Sequence, residues 1–262
     1  MLFRKNPSAM PQLIAFAFFD EPISLRSDEI CMNATKLLKA AGHTAHHHVE
    51  VLDQESDQIG FLVGENSGCL IQRIPTKFPI EKIDPEDPNR QRVVDAHEHW
   101  GFVFLTDAHP MKRLIDLIKL SVMMQALSMS HRVRAFIPSP MGVVFRASEW
   151  AKPMRLLIEK QQVPLSHWVG FDYREHGATT DAASIYMEEL FGLPNIEIQG
   201  SLRPSDETVD LVECAVIESI MNGPIHKASG QRVTKTGVRY RVRYAKSLYN
   251  PKRRVTQLIE IR

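Results

Sequence analysis

Seven consecutive apolar residues, Leu13 to Phe19, lie between Pro11 and Asp20-Glu21-Pro22 and constrain the fold more than any other segment. A half-exposed strand alternates apolar with polar residues, whereas an unbroken short apolar run predicts a strand covered on both faces. A membrane helix needs about 18 or more apolar residues, so this run is too short to span a bilayer. It calls for a central strand with packed layers on either side. The chain can build them. Of its 262 residues 44% are hydrophobic and 24% charged, which excludes wholesale disorder and a membrane bundle.

The segments after that strand alternate in period. Ile30, Ala34, Leu37, Leu38 and Ala41 fall at helical spacing, with Ser24 or Ser27 placed to cap the helix and Gly42 to end it. Residues 44–52, 59–63 and 69–74 read as strands, the last two joined by a turn at 64–68. A helix is expected over 91–99, a strand over 101–106 and a long helix, apolar on most sides, over 111–129. A hairpin at 133–137 and 142–145, a helix over 148–161 and a strand over 167–173 follow. Residues 174–180 read as a loop, 181–191 as a short helix and 195–199 as a strand. Ser205 is placed to cap a helix with the stripe Val209, Val212, Val216 and Ile220, and residues 230–262 alternate like strands.

Strand, helix, hairpin and helix thus occur twice in order. The pattern predicts an α+β protein of two ferredoxin-like (split β-α-β) halves, with mostly antiparallel sheets and a C-terminal β extension. The corresponding division is a loose leader at 1–11, a first half at 12–99, a second at 100–173, and a segment at 174–262 packed on the second half. The apolar stretch near the N-terminus lacks a signal-peptide cleavage pattern, so a cytoplasmic setting with no membrane association is expected. Cys31, Cys69 and Cys214 are odd in number and form no C-x-x-C pair, which argues against a disulfide framework or zinc ribbon.

Chemistry-bearing clusters are few. In His46-His47-His48-Val49-Glu50, strand alternation puts His46, His48 and Glu50 on one face, the residue types of a two-histidine, one-carboxylate metal site. The competing reading is a polar strand face. Asp95-Ala-His97-Glu-His99 reads as a helix C-terminus, with His99 kept as a polar site candidate. Glu197, between Ile196 and Ile198, is either a structural anchor paired with an arginine or a site carboxylate. Ser67 and Cys69 sit in a turn without a nearby base, and no phosphate-loop, dinucleotide, H-E-x-x-H or G-x-S-x-G motif occurs. No catalytic residue and no cofactor are expected.

Four short signatures together resemble an uncharacterised bacterial family, catalogued as a domain of unknown function, over residues 12–235. They are Pro75 to Pro79, His97-Glu-His99 before Gly101-Phe-Val-Phe104, Pro164-Leu165-Ser-His-Trp168-Val169, and Phe191-Gly192 with Ile196-Glu197-Ile198. The resemblance implies a fold and a bacterial cytoplasmic setting. It carries no catalytic residues across.

The charge is unevenly placed. The chain totals +1, yet residues 226–262 hold eleven basic side chains against the single acid Glu260, a local +10 that leaves −9 on the rest. Within Arg239-Tyr-Arg241-Val-Arg243-Tyr244 the three arginines share one strand face, opposite Tyr240, Val242 and Tyr244. With Arg253 and Arg254 they make a candidate binding surface for phosphate or acidic groups. Internal pairing with Asp206, Asp210 and Glu213 of the preceding helix is the first expectation, an acidic protein partner the second and nucleic acid the third, because stacking aromatics are missing from the arginine face. The functional expectation is a non-enzymatic binding or regulatory protein, with toxin neutralisation as one form. The alternatives are a metal-dependent hydrolase using His46, His48 and Glu50, and a nucleic-acid binder using the arginine row.

Overall fold

In a computed structural model, which describes residues 13–20, 24–42, 48–78, 88–106, 113–227, 231–233 and 237–261, the apolar run is a central strand, β1 (Leu13–Phe19). Both of its edges are paired antiparallel, one with β5 (His99–Leu105) and one with β6 (Val133–Pro138). The sheet is extended by β2 (Val49–Gln54), β3 (Gln58–Val63), β4 (Ser67–Ile74) and β7 (Phe145–Arg146). Its order is β2-β3-β4-β5-β1-β6-β7, with every neighbouring pair antiparallel.

Alternation along β1 explains why it needs cover on both sides. Leu13, Ala15, Ala17 and Phe19 are at most 1% exposed and share one face, where α3 (Arg113–Ser130) packs on β1 and β5. The two alanines let the helix come close. Against α3 lie α1 (Ser27–Ala41) and α4 (Ala147–Lys160), so α3 is enclosed and buries side chains around most of its circumference. Met123 and Met124 are fully buried, whereas Met129 at the end of the helix is half exposed. On the other sheet face Phe18, Ala135, Ile137 and Val144 pack with Val94 of α2 (Pro88–Asp95), flanked by Phe16, Phe78 and Trp100.

This sheet belongs to a compact unit within Pro11–Trp168, and a second unit lies within Val169–Arg262. The second comprises β8 (Gly170–His176), β9 (Thr179–Ile185), α5 (Met187–Phe191), β10 (Ile196–Ser201), α6 (Ser205–Asn222), β11 (Gln231–Val233), β12 (Arg239–Lys246) and β13 (Arg254–Glu260). Their sheet order is β11-β12-β13-β10-β9-β8, and only β10 and β13 run parallel. α6 packs against β8, β9 and β10.

The chain is α+β with mostly antiparallel sheets, as its pattern predicts. Strands from both sides of residue 99 share one sheet, with β5 bonded to β1 and β4, and β6 bonded to β1. A central strand needs a hydrogen-bonded partner at each edge, and β5 and β6 supply them. The basic extension joins β8, β9 and β10 in a sheet of their own through the pairing of β13 with β10.

Local differences have local causes. Residues 181–185, expected as helix, are strand, because β8 and β9 form a hairpin through Gly177, whose φ of +64° suits a tight turn. Pairing with β8 and β10 overrides the helix propensity of Ala182 and Ala183. The helix expected to 99 ends at Asp95, and His99 opens β5. Ser205 is the first residue of α6 and makes no side-chain cap. The buried stripe of α6 is Thr208, Leu211, Val212, Ala215, Val216 and Ser219, so Val209 and Ile220 fall at its margins. Among the described residues no helix is long and apolar enough to cross a membrane.

Candidate binding face

The alternation of β12 fixes where its arginines point. Tyr240 is 3% exposed, and its hydroxyl donates to Glu218 Oε2 of α6 at 3.2 Å, so Tyr240 lies on the helix-covered face. Arg239, Arg241 and Arg243 therefore lie on the opposite face, and all three are exposed. Among the described residues the arginine row makes no ion pair with Asp206, Asp210 or Glu213, because α6 and the row are on opposite sides of the sheet. Instead burial and the neighbouring Asp210 raise the Glu213 pKa, a carboxyl that gains nothing from the arginines. Arg239 and Arg241 have no carboxylate partner among the described residues.

Register with β13 sets the neighbours of the row. Arg241 is opposite Ile259, and Arg243 is opposite Gln257. Gln257 is 5% exposed, and its Oε1 accepts from Arg243 Nε at 2.7 Å while its Nε2 donates to the Lys246 carbonyl at 3.5 Å. The buried amide holds the guanidinium by one edge. Beside Arg243 and Gln257 opens a groove of about 620 Å³, lined also by Gln199, Gly200, Leu202, Leu258, Ile259 and Glu260, the last paired with Arg203 at 2.9 Å. Gly200, at φ +63°, sits where β10 slips register against β9 and donates its N–H to Asp181 Oδ1 at 2.8 Å. Leu202 and Ile259 are 57% and 40% exposed, so apolar surface borders the cations.

The other end of this face is closed by the loop between β12 and β13. Glu197 of β10 is 3% exposed and accepts from Ser247 Oγ at 2.5 Å and from the Leu248 N–H at 2.9 Å. Ser247 Oγ in turn accepts the N–H groups of Tyr249 and Asn250 at 3.1 and 2.9 Å. Glu197 thus holds a hydroxyl and a backbone N–H of the loop, and among the described residues no arginine pairs with it. Beyond it the Tyr249 hydroxyl is buried without a hydrogen-bond partner, with the Arg174 guanidinium 4.9 Å over its ring. Burial, followed by the charges of Asp181 and Asp172, pushes the Tyr249 pKa up to about 12.

The remaining two arginines of the basic surface are engaged inside the unit. Arg253 pairs with Glu189 at 3.1 Å and Glu188 at 3.9 Å, and Arg254 lies over the Tyr244 ring at 5.6 Å. Tyr244 is stacked on its other neighbour, His226, with ring centroids 4.5 Å apart.

Other candidates are scattered. His46 lies outside the described residues. His48 and Glu50 approach to 4.0 Å at the exposed start of β2, and among the described residues no group of three or more His, Cys, Asp or Glu is placed to hold a metal. His99 pairs with Phe19 at the start of β5, and its Nδ1 is buried without a partner. His97 is 4% exposed, and its Nε2 accepts the Phe78 N–H at 2.8 Å, which makes it part of the aromatic core. Ser67 accepts a hydrogen bond from Lys119 Nζ at 2.8 Å, a base that its own turn does not contain. Ser67 is 5% exposed on a strand end facing α3, and its contact with Lys119 is part-buried.

Gln257, Ile259, Leu202 and Glu197 become one face only once β13 is known to lie between β12 and β10. The sequence carries a hint in the alternation of Val255, Gln257 and Ile259, which share a face with the arginines opposite.

No protein-family model, curated protein or solved structure matches the chain. The resemblance drawn from four short signatures is therefore withdrawn, and residues of two of them have a local explanation in packing. Leu165, Trp168 and Val169 are core residues, Gly192 is the left-handed cap of α5, and Ile196 and Ile198 are core residues of β10. Core and cap residues of this kind recur in unrelated chains, and they identify no family here.

Proposed function

We propose that the chain is a non-enzymatic binding protein whose C-terminal unit engages an acidic protein partner through the arginine face of β12. One observation carries this reading: Arg239 and Arg241 are exposed on the helix-free face and have no carboxylate partner among the described residues. Elsewhere in the same unit arginines do find acids, as Arg203 does with Glu260 at 2.9 Å and Glu207 at 3.2 Å. A row of like charges without internal acids repels itself, and an acidic surface relieves that repulsion while steering encounter. A protein partner is preferred to nucleic acid because Tyr244, the exposed aromatic of β12, lies on the other sheet face between His226 and Arg254.

The test is retention on immobilised poly-glutamate as salt is raised. The intact protein is expected to bind at low salt, and Arg239→Glu with Arg241→Glu to lose about tenfold or more in affinity. Equal retention of the charge-reversed protein would refute the assignment of the face.

A further inference from the structure

The groove beside Arg243 has more chemistry than a cationic patch needs. We propose that it selects an extended acidic segment bearing an aliphatic side chain two residues from a carboxylate, with Gln257 as the residue that positions Arg243; this rests on the acidic-partner reading above.

The argument begins with the held guanidinium. Arg243 Nε donates to Gln257 Oε1 at 2.7 Å, and Gln257 is itself 5% exposed between β12 and β10. An arginine fixed at Nε has its terminal nitrogens left in a forked arrangement, which fits a carboxylate and has lost part of its freedom before binding. Arg241 stands two residues along the same face.

Next to these cations are two partly exposed apolar side chains, Leu202 at 57% and Ile259 at 40% exposed. Ile259 is directly opposite Arg241 across the β12–β13 pair. Side chains on one face of an extended segment repeat about every 7 Å, twice the rise per residue. An aliphatic group seated on Leu202 and Ile259 therefore places a carboxylate two residues away within reach of Arg241 or Arg243. A helix would bring its neighbouring groups round at three and four residues and meet a different spacing.

The groove also has a defined end. Glu197 pins Ser247 and Leu248, so the β12–β13 loop closes the face beyond Gln257 and leaves it open towards Leu202. Charge selects acid, the apolar pair selects the aliphatic group, and the closed end limits how the segment enters.

Fluorescence anisotropy with labelled synthetic peptides tests this on the full chain. The probes are Gly-Ser-Leu-Ser-Glu-Ser-Glu-Gly, the same peptide with Leu replaced by Ser, the same peptide with both Glu replaced by Lys, and single-stranded oligothymidine. The leucine–glutamate peptide is expected to bind tightest, and the serine version about fivefold more weakly, the effect of burying part of one aliphatic side chain. Leu202→Ser should erase that difference and leave the binding of the serine peptide unchanged. Gln257→Leu should weaken both acidic peptides severalfold and leave the preference for leucine in place.

If the leucine and serine peptides bind equally and Arg241→Glu with Arg243→Glu abolishes both, the groove's selectivity is overturned while the acidic-partner reading stands. If charge reversal leaves acidic-peptide binding unchanged, or if neither acidic peptide binds, both readings fall. Oligothymidine binding that outcompetes the acidic peptides and is lost on charge reversal would overturn both in favour of nucleic acid.

Discussion

The two sheets differ in what they do with polar groups. The seven-stranded sheet is flanked by helices and aromatic side chains on both faces of β1, and polar side chains near its core, such as His97 and His167, are enclosed. The six-stranded sheet has one face under α6 and another carrying Arg239, Arg241, Arg243, Gln257 and Glu197. Enclosure makes the first sheet a source of stability, and openness makes the second a surface. Mutations should separate these roles, with large stability effects in one and binding effects in the other.

The largest effect is expected at Trp150, which is fully buried and stacked on His167 with ring centroids 4.1 Å apart. Trp150→Ala should cost about 3–5 kcal/mol of unfolding free energy in denaturant titration. A loss below about 1 kcal/mol would mean that this aromatic cluster is not part of the stabilising core.

His167 gives the comparison a pH signature. It is 2% exposed, and burial holds its pKa down to about 4, partly offset by a hydrogen bond to the Glu149 backbone. The unfolded chain takes up the proton near pH 6.5 and the folded one only near 4, so stability is present above 6.5 and falls as pH drops through that window. The full difference is about 3 kcal/mol. His167→Phe keeps a ring against Trp150 and should flatten that part of the profile between neutral pH and pH 4. An unchanged slope would assign the acid sensitivity to other groups.

Glu197 sharpens the contrast from the other side. Glu197→Ala removes the acceptor of Ser247 Oγ and Leu248 N, at a cost of about 2–3 kcal/mol. Amide exchange should accelerate at 247–250 more than on β1. Uniform acceleration through both units would contradict a local staple.

The smallest stability effect is expected at the arginines. Arg241→Ala should change stability by less than about 0.5 kcal/mol, because the side chain is exposed and has no partner among the described residues. A larger loss would show that the residue is structural and would weaken the contrast between the sheets.

Much of this was legible from residues. The unbroken apolar run at 13–19 pointed to β1, and the R-Y-R-V-R-Y alternation predicted that three arginines share a face. The missing piece was strand order. Nothing in the local pattern of β12 says that β13 lies beside it, or that β13 then pairs parallel to β10. Without that order Gln257, Ile259 and Glu197 are separate residues, and α6, adjacent in sequence, is the natural partner for the arginines. Sequence proximity misled because α6 and the arginines lie on opposite faces of one sheet. Residues 181–185 differ for a related reason: alanines favour helix locally, and two paired neighbours outweigh them.

The most direct test of the central claim is a backbone amide NMR titration of the full chain with the leucine–glutamate peptide. The account predicts shift changes concentrated at 239–243, 257–259 and 199–202, with α6 and β1 silent. Changes centred on α6 or on the first unit, with the β12 amides unmoved, would contradict it.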